Sequence, residues 1–101
     1  MEAVWIGLFE VAPRPGTEFP DKGAYVNVVG PARTAADFER KVRAALAEAG
    51  FELINVENRE RLEHRLTKRH VDPELIVLAD ESRRMGAVRL AEFHSWVREE
   101  E

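Results

Sequence analysis

His64, His70 and His94 are the side chains best suited to ligate a metal or move a proton near neutral pH. His64 and His70 stand six residues apart and His94 is remote, so none has the i, i+4 spacing that places two imidazoles on one helical face. No metal site is expected. Glu92 and His94 alternate on one strand and share a face, which is the geometry of an acid/base pair, but no nucleophile motif accompanies them. Ser95 follows His94 directly and points the opposite way in a regular strand, which disfavours a Ser-His dyad. Gly30-Pro31 lacks the glycine pattern that cradles a phosphate. The chain contains no cysteine, which excludes disulfides and thiolate metal sites and makes a cytoplasmic location the simplest expectation. No cofactor is implied.

The elements that must position these residues are built around Thr34–Glu57. Thr34 suits an N-cap, and Asp37 three residues on is an acidic variant of the capping box. Phe38, Val42, Ala45, Leu46 and Ala49 recur at spacings of three and four, one apolar helical stripe that Gly50 closes. Ile54 and Val56 then alternate with Glu52, Asn55 and Glu57, as in a strand.

Ala3–Val11 is apolar on both alternating faces, with Val4, Ile6 and Leu8 on one and Trp5, Gly7, Phe9 and Val11 on the other. Such a strand belongs in the interior of a sheet covered on both sides. Residues 12–23 hold three prolines and two glycines and read as a long loop, with Phe19 placed to pin it. Ala24–Val29 is a second strand, expected to pair antiparallel with the first. Leu62 and Leu66 could dock one short helix over 58–70, with Asn58 as its cap. Asp72-Pro73-Glu74 is a strong helix start, and Gly86 a stop; a strand over Leu75–Ala79 is the competing reading. Ala87–Trp96 reads as the last strand, with a β-bulge near Ala91–Glu92 bringing Val88, Leu90 and Phe93 to one face.

The order β-β-α-β-α-(α/β)-β over residues 1–101 predicts a single α+β domain. The expected architecture is a two-layer sandwich, a mainly antiparallel sheet with helices on one face, ferredoxin-like in style although not in strict order. If the helices cover Val4, Ile6, Leu8, Val26, Val28, Ile54 and Val56, the other face shows Trp5, Phe9, Tyr25, Asn27, Val29, Leu53, Asn55 and Glu57, joined by Glu92, His94 and Trp96. An uncovered face with three aromatic rings implies a partner.

The leading expectation is therefore an interaction domain that forms a homodimer or binds a partner protein around Trp5, Phe9 and Tyr25. The alternative is a small-molecule-binding or catalytic domain with Asn27, Asn55, Glu57 and His94 as polar handles. A net charge of −4 argues against general nucleic-acid binding, with the arginine-rich run from Arg59 to Arg69 as a local exception. No window reaches transmembrane length, so no membrane partner is expected.

Overall fold

A computed structural model describes residues 2–68 and 70–95. The elements run β1 (Ala3–Pro13), β2 (Ala24–Ala32), α1 (Ala35–Glu48), β3 (Phe51–Arg61), α2 (Leu62–Leu66), α3 (Pro73–Met85) and β4 (Arg89–Ser95). The strands make one antiparallel sheet in the order β3-β1-β2-β4. β1 is interior and pairs antiparallel with β2, as its two-sided apolar pattern requires. Trp96, the tail from Val97 to Glu101, and Arg69 lie outside the described residues. Within the described residues, no helix is long and apolar enough to cross a membrane.

α1 forms as its punctuation dictates. Thr34 Oγ1 accepts from the Asp37 amide at 3.0 Å, and Asp37 Oδ2 accepts from the Arg33 amide at 3.1 Å. Phe38, Val42 and Leu46 are fully buried, each side chain contributing about 1.5–3 kcal/mol. Gly50 follows at φ +91, a conformation that other residues rarely adopt. The Gly50 carbonyl accepts from the Arg14 amide and from Thr17 Oγ1, both at 2.9 Å, so the long loop is tied to this corner. Phe19 completes the tie, edge-on to Phe51 at 5.1 Å and to Phe93 at 6.2 Å.

Residues 73–85 are helical, so the capping signal prevails over a strand at Leu75–Ala79. Asp72 accepts from the Glu74 amide at 3.0 Å, Pro73 occupies the first turn, and Gly86 ends the helix at φ +69.

Two expectations about the faces are corrected. The helices do not share one face. α1 packs on Phe9, Val11, Val26 and Val28, whereas α3 packs through Ala79, Leu75 and Leu78 on Ile6, Val29 and Val4. Those two sets alternate along β1 and β2 and so lie on opposite sides of the sheet. The two-layer arrangement with an open apolar face is thereby replaced by one with a helix against each side.

The strand register also differs from the expected grouping of faces. The register pairs Phe9 with Val26 and Trp5 with Gly30, which sets both rings on the side of Val26 and Val28, under α1. Tyr25, Asn27 and Val29 pair with Glu10, Leu8 and Ile6 on the other side. The element order also departs from the β-α-β-β-α-β of a ferredoxin-like fold.

β3 is longer than expected and bulged twice, because Glu57 and Ile54 are extra residues against β1. The bulges bring both Leu53 and Val56 to the α1 core and leave Ile54 52% exposed. Asn58 lies inside β3 and does not cap α2. In β4 the expected bulge is present: Ala91 and Glu92 together face Asn27, and Leu90 and Phe93 reach the same core. Gly30 is where Val88, leading into β4, crosses β2. A Cβ there would lie 2.6 Å from the Val88 Cα.

Candidate functional site

The structure divides the seven sequence-derived site residues into two groups. Phe9 is fully buried, edge-on to Phe38 with ring centroids 5.9 Å apart. Trp5 is half-buried, stacks on Phe38 at 6.2 Å and donates its Nε1–H to the Ala32 carbonyl at 3.1 Å. The Arg61 guanidinium caps the indole at 5.9 Å. Both rings therefore hold the α1 layer in place and are not a free surface.

The other five share the opposite side, beyond the reach of the α3 core cluster. Asn55, Glu10, Tyr25 and His94 form one continuous cross-strand row over β3, β1, β2 and β4. Asn27 pairs with Leu8 in the same region, and Asn55 Nδ2 donates to Glu57 Oε2 at 3.0 Å. Partial burial pushes the Tyr25 hydroxyl above its ordinary pKa, and the Glu10 and Glu57 carboxylates push it the same way by disfavouring a phenolate.

The row spans about 14 Å from β3 to β4, from a strand spacing of about 4.8 Å. Its side chains are half-buried or exposed. That is a polar strip, acidic near Glu10 and Glu57. Among the described residues, no three His, Asp or Glu side chains are grouped to hold a metal ion.

A concave site lies at the other end of this side, where α2 and α3 diverge over the start of β1. The cleft holds about 820 Å³. Ala3 and Val4 form its strand side, Leu62 and Leu66 of α2 one wall, and Ile76 and Ala79 of α3 the other. Glu2, Arg33, Arg61, Glu63, Asp80 and Arg83 make the rim. Leu66 remains 48% exposed and Ile76 43% exposed, the two apolar side chains facing solvent at one opening.

The α2 wall is held by polar contacts more than by burial. Arg65 is buried and donates from Nε to Glu60 Oε2 at 2.6 Å and from Nη2 to Asn58 Oδ1 at 2.7 Å. The same Asn58 oxygen accepts from the Leu8 amide at 3.2 Å, which anchors α2 to the bulged edge of the sheet. Lys68 reaches the other Glu60 oxygen at 2.9 Å. Hydrogen bonds from Lys68 and Arg65 hold the Glu60 carboxyl down at a pKa of about 2. The basic run around Arg59–Lys68 is thus largely engaged within the chain: Arg59 pairs with Glu39 at 3.0 Å, and Arg65 and Lys68 pair with Glu60.

Sequence reading missed this cleft, although α3 carries a signal for it. Leu75, Ile76, Val77, Leu78 and Ala79 are five consecutive apolar residues, and a helix lying on one sheet buries only one stripe of them. Leu75, Leu78 and Ala79 take the sheet, so Ile76 and Val77 are left outside it.

Neither family models, nor curated protein sequences, nor solved structures give a match to this chain.

Proposed function

We propose that the protein is an interaction domain without catalytic activity, which receives apolar side chains of a polypeptide in the cleft between α2 and α3. The observation that carries this reading is the pair Leu66 and Ile76, exposed on facing walls above a strand side of Ala3 and Val4. Soluble domains keep such side chains uncovered next to a hollow chiefly where something else covers them. The cleft is lined by aliphatic carbon and ringed by charges, the anatomy of a protein-binding patch with an apolar centre and polar rim. It offers no paired acid and base and no nucleophile over its apolar floor.

This reading keeps the interaction role expected from the sequence but moves it away from Phe9, which is buried, and from Trp5, which stacks half-buried on Phe38.

The test uses 1-anilinonaphthalene-8-sulfonate as an apolar probe on the dilute folded chain, with amide shifts recorded by NMR. One equivalent should bind, shifts should centre on Leu66, Ile76 and Ala79, and Ile76→Glu should abolish binding while leaving the circular dichroism unchanged. Absence of binding, or shifts confined to the Glu10–Tyr25 strip, overturns the proposal.

A further inference from the structure

We infer that the strip of sheet beyond α3 receives an extended polypeptide segment carrying basic side chains at alternate positions. This surface lies at the opposite end of that side from the cleft, and either can bind without the other.

Charge names the occupant. Glu57 and Glu10 stand on the strip, Glu52 pairs with Ala12 two residues along β1 from Glu10, and Glu92 faces Asn27 across β4. Every ion pair among the described residues lies elsewhere, so none of these four carboxylates is neutralised within them. The strands supply no cation to do so. β1 and β2 contain none. On β3, Arg59 turns to Glu39 and Arg61 to the Trp5 ring; on β4, Arg89 turns to Glu81 of α3. The chain holds 19 acids and 15 cations, so these four acids equal its whole net charge of −4. A face of this kind attracts cationic partners and repels nucleic-acid phosphates.

Spacing decides between one cation and a chain of them. The acids stand on β3, β1 and β4, across about 14 Å, too far apart to converge on a single ion. An extended segment crossing the strands repeats its side chains on one side every ~6.8 Å, so alternate residues i, i+2 and i+4 span the same ~14 Å. The first basic group meets Glu57 and Glu10, and the last meets Glu92. The middle one lies over the half-buried Tyr25 ring, a site for a cation against an aromatic face. Partial burial and then the Glu10 and Glu57 carboxylates raise the Tyr25 pKa, which places that hydroxyl within their field. Ile54, 52% exposed on β3, is an apolar neighbour for the aliphatic stems.

The probe is a short peptide of alternating threonine and arginine with three arginines, added to the full chain in low salt and followed by amide shifts in NMR. Shifts should centre on Glu10, Tyr25 and Asn55, with a dissociation constant on the order of 0.1–1 mM. Raising the salt from about 20 to about 300 mM should weaken binding at least about fivefold. The double change Glu10→Gln with Glu57→Gln should weaken it by about as much. Should the half-buried Glu10 prove necessary for folding, Glu57→Gln with Glu92→Gln gives the same reading at exposed positions. Glu48→Gln, at the end of α1, should bind like wild type.

Absence of shifts at about 1 mM peptide, shifts centred elsewhere, or affinity unchanged in both double variants overturns the inference. Spermine bound as tightly as the peptide also overturns it, since the strip would then hold any polycation without reading a chain. The cleft reading survives each of these failures, because its own probe is an anionic dye read at Leu66 and Ile76.

Discussion

Replacing Arg65 with methionine tests whether α2 is held by its polar anchor. α2 has five residues, too few to persist as an isolated helix, and its outer leucine, Leu66, is 48% exposed. What fixes it is the guanidinium, in contact with Glu60 at 2.6 Å and Asn58 at 2.7 Å. Hydrogen bonds involving a charged group contribute about 1.5–3 kcal/mol each, so two would amount to about 3–6 kcal/mol. Three effects reduce that sum. Lys68 stays on Glu60 at 2.9 Å, Glu60 is 17% exposed and can rehydrate, and methionine keeps most of the buried stem without the cost of burying a charge.

The expected loss is about 2–3 kcal/mol. For a chain of this length that corresponds to a fall in Tm of roughly 10–20 °C. Urea denaturation should show it, and amide exchange across 62–68 should accelerate more than in α1. In a Glu60→Gln background the same substitution should cost at least about 1 kcal/mol less, because the charge partner is already gone. A loss under about 0.5 kcal/mol, or full additivity of the two changes, would refute the account of how the cleft wall is held.

Two further outcomes are expected. The Glu60 carboxyl titrates at about 2 in the folded chain against an ordinary 4.5, so its contribution is complete above pH 4.5 and is lost as the pH falls towards 2. The full shift corresponds to about 3 kcal/mol, which the 48% exposure of Lys68 reduces to about 1–2 kcal/mol. The stability gap between wild type and Glu60→Gln should therefore narrow from about pH 4.5 down to about pH 2, and a constant gap contradicts the assignment. Gly30→Ala should destabilise by about 2–3 kcal/mol in urea titration, since its Cβ would meet Val88 main chain at 2.6 Å and push β4 off β2; a loss under about 0.5 kcal/mol would show that β4 yields freely.

What the sequence made legible was local. Caps and stops name their helices because a hydroxyl, a carboxylate or a glycine acts within one turn: Thr34 and Gly50 bound α1, and Asp72 and Gly86 bound α3. The bulge at Ala91–Glu92 was also readable, since without it Leu90 and Phe93 fall on opposite faces. The bulges in β3 were not. Ile54 and Val56 alternate cleanly, and nothing in residues 51–57 reveals that Leu53 would join Val56 against the core while Ile54 faces solvent. Two extra residues against β1 make that difference, and they are set by the pairing, a long-range property.

The candidate site failed to appear for a related reason. The two-sided pattern of residues 3–11 demands cover above and below, and the helices divide between the two sides instead of sharing one. Once the register is Phe9 to Val26, the aromatic rings fall under α1 and α3 must serve the other face. But α3 has 13 residues, about 20 Å of length, and cannot cover a sheet with strands of up to 11 residues, about 36 Å long. One end of that face is left to the polar strip, which water can solvate. At the other end α2, only five residues long, diverges from α3 and leaves Leu66 and Ile76 facing an unfilled apolar hollow. The surface that asks for a partner is thus the shortfall between the helix available and the sheet it must cover. Neither quantity is visible until the strands have been paired.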